Sequence, residues 1–274
     1  MSVPPSMPTP SNPPPHPSLS PRGGEDTGEG AADLALCRSA LWEALALGFR
    51  PPTDETVARL ASDEGAQALA DAAALLDVDG KTDLTARVLG LARGDGVAAL
   101  EDSFRRLFGH TARGAVPPYE TEYGEDSLFL PAQEMSDLAA FYRAFGLTVN
   151  AAAHERLDHI ACECEFLVVL ARKEAYALER DHAAMVEAAG RAARVFLRDH
   201  LGRWGPAFGG KLARMDPDGF YGILGDLCQA FVTYECARLG VVAGPEFLRL
   251  RSPLPADAPM ACGPVAELPE EVPP

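Results

Sequence analysis

Hydrophobic residues recur at helical spacing through most of the chain. Between residues 31 and 48, leucines and a tryptophan fall three or four positions apart, and Pro51 and Pro52 follow. This pattern predicts an opening helix that ends before the two prolines. Thr53 or Asp54 is expected to cap a short second helix.

The same spacing predicts helices along the rest of the chain. They are short helices within residues 65–93 and one helix in each of the ranges 95–108, 132–145, 152–180, 181–200, 203–215 and 217–239. Asp216 followed by Pro217 is typical of a capped helix start. No segment shows the apolar and polar alternation of a strand. The chain is therefore predicted to be all-α, with a single compact helical domain of about nine to eleven helices.

Both ends of the chain lack this pattern. Residues 1–30 and 252–274 are rich in proline and small residues, and they cannot bury enough apolar surface to offset the entropy lost on ordering. They are predicted to be disordered tails around a folded domain at residues 31–251. Neither the N-terminal segment nor any later stretch has the apolar run of an export signal or a membrane span. We therefore expect a cytoplasmic protein without a membrane span.

One long internal segment, residues 109–131, also departs from helical spacing. A connection of this length inside a compact domain is usually functional or disordered. Its aromatic residues Tyr119, Tyr123 and Phe129 argue against disorder. The segment is therefore predicted to be an ordered loop that takes part in function.

The predicted helix at residues 152–180 has apolar side chains on two faces. Opposite its core stripe, a helical wheel collects polar residues with a cysteine and a phenylalanine: Glu155, His159, Cys162, Glu163 and Phe166. The spacing of Glu155, His159 and Glu163 places the imidazole between two carboxylates, which favours its protonated form. A helix buried on both faces, with His159 as a satisfied internal polar residue, explains the same pattern.

The chain is strongly acidic. It has 24 basic and 40 acidic residues, which gives a net charge of −16. Such a charge repels phosphate groups, so neither nucleic acid nor an anionic membrane is an expected partner. It attracts a cationic peptide or a basic protein surface, although acidity that serves only solubility explains the same composition.

Patterns for catalysis or metal binding are weak. Glu179 and His182 have the spacing of a di-iron helix, but the motif has no second copy. Cys162 and Cys164 point about 160° apart on a helix, so they cannot share a metal ion. The chain has neither a Gly-x-Ser-x-Gly turn nor a glycine-rich phosphate loop. The sequence therefore predicts a binding protein with reduced cysteines and without catalytic residues, metal or cofactor.

Four stretches of the chain carry longer motifs. They read LWEALALGF at 41–49 before the two prolines, FRRLFG at 104–109 with PPYETEY at 117–123, ERLDHIACECEF at 155–166, and FLRDHLGRW at 196–204. In order and spacing these motifs resemble the TorD/DmsD/NarJ family of cytoplasmic maturation chaperones for molybdenum enzymes. Leu157 stands where the family usually has proline, Cys164 where it has leucine, and Thr121 where it has serine.

The resemblance implies an all-helical chaperone without enzyme activity. Such a protein binds the twin-arginine signal or N-terminal region of a DMSO-reductase-type catalytic subunit and holds it for cofactor insertion, assembly and export. The alternative is an accessory subunit that remains bound to the assembled molybdenum enzyme. The expected oligomeric state is a monomer or a dimer that exchanges domains.

The resemblance also implies a peptide-binding site. It places Asp158 and His159 in the peptide groove, with Tyr119, Glu120 and Tyr123 of the long loop as neighbours. The predicted helix adds Glu155, Glu163 and Phe166. An acidic groove with aromatic walls suits a signal that is cationic at its start and apolar beyond it.

Overall fold

The computed structural model describes residues 26–109, 113–126, 130–148 and 155–252. Phe129, residues 1–25 of the predicted N-terminal tail and residues 253–274 of the predicted C-terminal tail lie outside this part of the chain. The first helix begins at Asp26, so the last five residues assigned to the N-terminal tail are helical.

The described residues form ten α-helices, a π-helical turn at Val57–Ala61 and a 3-10 turn at Glu120–Glu122. The α-helices are α1 (Asp26–Gly48), α2 (Asp54–Thr56), α3 (Asp63–Leu76), α4 (Leu84–Leu89), α5 (Val97–Phe108), α6 (Leu130–Ala144), α7 (Ile160–Leu178), α8 (Ala183–Asp199), α9 (Leu201–Met215) and α10 (Phe220–Arg238). Within these residues the only extended pairing is two isolated antiparallel bridges. The predicted all-α fold is confirmed.

Side-chain caps fix several of the helix starts. Thr53 precedes α2 and exchanges side-chain and backbone hydrogen bonds with Thr56 in a capping box. Ser62 accepts a hydrogen bond from the Gly65 amide, 3.1 Å away, at the start of α3. The predicted helix start at Asp216 is wrong, because α10 begins at Phe220. Asp216 instead ends α9, and its carboxylate accepts a 2.6 Å hydrogen bond from the Arg106 side chain.

The core lies between two pairs of helices, α1 with α7 and α9 with α10. Aromatic rings fill it, with Trp42 of α1 lying 4.6 Å from Phe231 of α10 between ring centroids. Helices α9 and α10 approach closely because Gly209 and Gly225 face each other. A Cβ atom on Gly209 would lie 2.4 Å from the Gly225 carbonyl oxygen, closer than packed atoms allow. No helix of the described part is long and apolar enough to cross a membrane.

Candidate functional site

Helix α7 begins at Ile160, eight residues later than its hydrophobic pattern predicted. His159 is the residue that starts it. Its backbone is extended, at φ −72° and ψ 135°, and its Nδ1 atom accepts a 3.1 Å hydrogen bond from the Ala161 amide. Glu155 and His159 therefore precede the helix, and the predicted helical ladder of Glu155, His159 and Glu163 does not form.

The long loop is joined to the start of α7 through main-chain hydrogen bonds. The Glu120 amide donates to the Asp158 carbonyl at 2.9 Å, and the Ile160 amide donates to the Pro118 carbonyl at 2.9 Å. Tyr119 and His159 form an antiparallel bridge between these two bonds. We call residues 118–121 and 156–160 the loop–α7 joint, and it brings two of the recognised motifs together.

Asp158 is fully buried in the loop–α7 joint. Its Oδ2 atom accepts hydrogen bonds from the Thr121 amide at 3.2 Å and from the Thr121 hydroxyl at 2.7 Å. Arg156 donates to both carboxylate oxygens, at 3.0 and 2.8 Å, and its guanidinium lies 4.3 Å from the centre of the Tyr119 ring. The carboxylate therefore holds the loop in place and does not face the solvent.

His159 is also buried, with 3% of its surface exposed. Burial, reinforced by the charges of Arg50 and Arg156, lowers the pKa of His159 to about 3. The prediction of a protonated His159 is therefore wrong. Because Nδ1 accepts from Ala161, the ring proton resides on Nε2, which lies 3.9 Å from a carboxylate oxygen of Glu155.

Two further predicted site residues are buried carboxyl groups. Glu120 lies 3.0 Å from the Nδ1 atom of His200, and Glu163 accepts from the Trp204 indole at 3.2 Å. Burial raises the pKa of Glu163 well above its usual range, and the charge of Glu120 adds to that shift. Burial also raises the pKa of Glu120, although the contact with His200 opposes the shift. Both groups fasten α7 and the loop to α9.

The predicted aromatic residues are mostly internal as well. The Tyr123 hydroxyl donates to the Pro117 carbonyl at 2.9 Å, and its ring packs 5.2 Å from Trp204. Phe166 is 1% exposed, and its ring lies 4.7 Å from that of Phe196. Among the predicted site residues, Tyr119 and Glu155 are the two that remain partly exposed.

A cleft of about 500 Å³ opens beside this cluster. It lies between α1, the π-helical turn and α7, and we call it the α1–α7 cleft. Its apolar lining is Ala46, Leu47, Tyr142, Leu147, Cys162, Phe166, Val168 and Val169, and its charged lining is Glu43, Arg50, Glu55, Arg59, Glu155, Glu165 and Arg172. Of the predicted site residues, Glu155 and Phe166 line this cleft.

The two cysteines of α7 face different surroundings, as the helical wheel predicted. Cys162 lines the α1–α7 cleft, whereas Cys164 is fully buried in the core. Burial raises the pKa of Cys162 to about 12, so its thiol is protonated at neutral pH. Within the residues that the structure describes, no three His, Cys, Asp or Glu side chains form a group that could hold a metal ion.

Two residues that organise the site carry no signal in a single sequence. Arg156 was not predicted, although it connects the carboxylate of Asp158 to the Tyr119 ring. Arg251 lies far along the chain, yet its guanidinium donates to both carboxylate oxygens of Glu134 at 2.8 and 3.0 Å. Glu134 lies 117 residues before Arg251, so spacing cannot locate this pair.

Similarity to known proteins shows the family of this chain. A match to the family described as "Nitrate reductase delta subunit" covers residues 60–209, more than half of the chain. The chain belongs to this family. The resemblance to the TorD/DmsD/NarJ family is thereby confirmed, and the motifs from residue 104 onwards lie within the matched residues.

Relatives of this TorD/NarJ-type chain include proteins named as chaperones. "Chaperone protein TorD" from Vibrio cholerae serotype O1 (strain M66-2) is 31% identical over 145 residues, which are 52% of this chain and 63% of the relative. "Chaperone protein TorD" from Vibrio parahaemolyticus serotype O3:K6 is 31% identical over 150 residues, 54% of this chain and 67% of the relative.

A further relative is named for a different enzyme. "Perchlorate reductase assembly chaperone protein" from Dechloromonas aromatica (strain RCB) is 35% identical over 96 residues, 35% of this chain and 42% of the relative. The match to the Vibrio cholerae protein covers less than two thirds of that protein's length.

Proposed function

We propose that this chain is a cytoplasmic maturation chaperone for a molybdenum enzyme. It binds the twin-arginine signal or N-terminal region of a DMSO-reductase-type catalytic subunit and holds it for cofactor insertion, assembly and export. Family membership is the observation that carries the proposal, because the relatives above are named as chaperones and one is named for reductase assembly. The strongly acidic chain suits a cationic ligand.

The α1–α7 cleft is the surface that fits this ligand. Its apolar floor suits the apolar part of a leader peptide, and its volume of about 500 Å³ accommodates a few side chains. Ion pairs surround the floor, with Arg50 lying 2.5 Å from Glu165 and Arg172 lying 2.5 Å from Glu43. Partners in these pairs are one third to three fifths exposed.

Exposed ion pairs of this kind contribute only about 0.2–1 kcal/mol each. An arginine of the bound peptide therefore replaces Arg50 or Arg172 beside its glutamate at little cost, while the displaced guanidinium returns to water. Glu155 stands at the same opening and is about one quarter exposed. It supplies a further carboxylate to a cationic ligand.

The remaining predicted site residues act by position. Asp158 and His159 fix the loop–α7 joint, which also contains Tyr119 and Glu120, and the buried residues Tyr123 and Glu163 connect the loop and α7 to Trp204 of α9. The joint holds Glu155 beside the α1–α7 cleft, because His159 faces its carboxylate at 3.9 Å. In this arrangement Glu155 contacts the peptide, and the buried residues, Phe166 among them, determine where Glu155 and the cleft lining lie.

The protein acts without catalysis or a cofactor, as a monomer or a dimer that exchanges domains. The alternative, an accessory subunit that stays on the assembled enzyme, agrees with the word "subunit" in the family's description. It is less favoured, because the curated relatives are named as chaperones.

Val169→Asp tests the assignment of the α1–α7 cleft. Val169 lines the apolar floor, so a carboxylate there should weaken binding of a molybdenum reductase leader peptide at least about tenfold in isothermal titration. Val78→Asp is the matched control, because Val78 is 82% exposed and does not line the cleft. Unchanged affinity in a folded Val169→Asp protein would place the site elsewhere.

A further inference from the structure

Beyond α10, residues 240–252 continue the chain outside any helix, and we call them the strap. It pairs with the long loop through its main chain. The Gly124 amide donates to the Arg249 carbonyl at 3.0 Å, and the Arg251 amide donates to the Glu122 carbonyl at 2.8 Å. Tyr123 and Leu250 form an antiparallel bridge between them. This is the geometry by which extended peptides add to an exposed backbone edge.

Arg251 is the anchor of the strap. Its guanidinium donates to both carboxylate oxygens of Glu134, at 2.8 and 3.0 Å, in the bidentate arrangement that favours arginine over lysine. It also donates to the carbonyls of Thr121 at 2.9 Å and Glu125 at 3.0 Å. The loop and α6 therefore form a complete recognition site for one guanidinium group.

The surroundings of this site are richer in acceptors than Arg251 alone uses. Glu120 is 98% buried, and its Oε1 atom has no hydrogen-bond partner within the described residues. The guanidinium of Arg203 lies 3.9 Å from that atom. A second cleft, of about 560 Å³, opens here and is lined by Glu134, His200 and Arg203 among others. Glu134 therefore belongs both to the guanidinium site and to this cleft, and the neighbouring Oε1 atom of Glu120 can accept a further hydrogen bond.

The rest of the strap buries few side chains and is attached mainly through its main chain, with the Gly244 amide donating to the Gly202 carbonyl at 2.7 Å and the Ser252 amide donating to Asp126 at 2.8 Å. Arg251 is the one buried residue in it, whereas Val242 is 94% and Phe247 68% exposed. Leu248 and Leu250 are partly buried against the core. The family match ends at residue 209, so the strap lies outside the part of the chain that defines the family. A separate peptide could make the same contacts, since they consist of one buried arginine and a short run of main-chain hydrogen bonds.

We propose that residues 120–126 and Glu134 form a binding site for an extended, arginine-bearing peptide, and that the strap occupies this site as an intramolecular ligand. A partner's arginine-bearing segment displaces the strap by making the same bonds. A tethered segment competes at an effective concentration on the order of millimolar, so the partner needs further contacts to succeed. If the partner is the cationic leader, the inference deepens the proposed function, and the strap is then a built-in competitor.

The test uses a fluorescent peptide that copies residues 245–252, with both ends blocked, and the full-length protein. Arg251→Ala removes the anchor and leaves Glu134 with the loop carbonyls open. We expect this variant to bind the peptide at least about tenfold more tightly than the wild-type chain, by fluorescence anisotropy. Arg249→Ala is the matched control, because Arg249 is exposed and only its main chain takes part in the pairing. It should bind the peptide as the wild type does.

The peptide itself supplies a second control. A copy in which the residue matching Arg251 is alanine should not bind the Arg251→Ala protein, whereas a copy with alanine at the position of Arg249 should. Equal binding to the wild type and the variant, or binding that does not depend on the arginine, overturns the proposal. Either result leaves the proposed function intact, because the assay contains no client subunit.

Hydrogen exchange on the unmodified chain covers the case in which Arg251→Ala does not fold. A strap that can be displaced must open without global unfolding, so the Arg251 amide should exchange at least about a hundredfold faster than core amides of α7 such as that of Leu167. Equal protection of the two amides would show that the strap is part of the cooperative core. The proposal would then be wrong.

Discussion

Replacing Asp158 by asparagine removes one negative charge from the loop–α7 joint without changing the size of the side chain. The amide oxygen can take the place of Oδ2 and keep the two hydrogen bonds from Thr121. The amide nitrogen then faces the Nε donor of Arg156. In the wild type this Nε donates a 3.0 Å hydrogen bond to the Oδ1 atom of Asp158. The variant therefore loses one charge-assisted hydrogen bond and places two donors against each other.

A hydrogen bond to a charged group contributes about 1.5–3 kcal/mol. The cost should fall at the lower end of this range, because the Arg156 side chain is 45% exposed and can turn towards water. Asp158→Ala should cost more, about 3–5 kcal/mol, because it leaves the buried amide and hydroxyl of Thr121 without an acceptor. Urea denaturation of the two variants measures both values.

Glu155→Gln is the matched control for Asp158→Asn. Glu155 is partly exposed and lines the α1–α7 cleft, so its substitution should change stability by less than about 0.5 kcal/mol and weaken leader binding. The opposite pattern, in which Asp158→Asn keeps wild-type stability and abolishes binding, would show that Asp158 contacts the peptide. The positioning role would then be refuted.

Two other substitutions test features of the structure. His159→Asn keeps a helix-capping side chain that does not titrate. The free energy of unfolding of the wild type, relative to this variant, should fall by about 2 kcal/mol between pH 7 and pH 5, because unfolded His159 takes up a proton and the buried form, with a pKa of about 3, does not. A difference that does not change with pH would contradict the buried neutral imidazole. Gly202→Ala should destabilise the protein by about 1–3 kcal/mol, since its Cβ would lie 2.2 Å from the Leu197 carbonyl oxygen. Gly190→Ala has open space around its Cβ and should stabilise α8 by about 0.5–1 kcal/mol. Equal changes in the thermal unfolding temperature of the two variants would contradict the close packing at the start of α9.

The helices were predictable because their signals are local. The prolines after α1 and the capping threonine of α2 act within a few residues, so the sequence alone locates them. The start of α7 was not predictable in this way. Apolar spacing continues back through Leu157, and only the contact with the loop shows that His159 ends an extended segment.

The candidate site was predicted in composition but not in orientation. The sequence identified Asp158 and His159 as unusual, and the structure places both in the loop–α7 joint. The sequence alone could not show that Arg156 pairs with the Asp158 carboxylate or that burial keeps His159 neutral, because both effects depend on neighbouring residues. The strap was not predicted for the same reason, since the ion pair of Arg251 with Glu134 joins distant parts of the chain.

Titration of the purified chain with the leader peptide of a molybdenum reductase catalytic subunit from the same organism is the most direct measurement. Isothermal titration should show binding that weakens as salt is raised, because the contacts include exposed charges. A peptide with both leader arginines replaced by alanine should bind at least about tenfold more weakly. If neither a leader nor an N-terminal segment of any catalytic subunit among the organism's molybdenum enzymes binds, the chaperone assignment is contradicted.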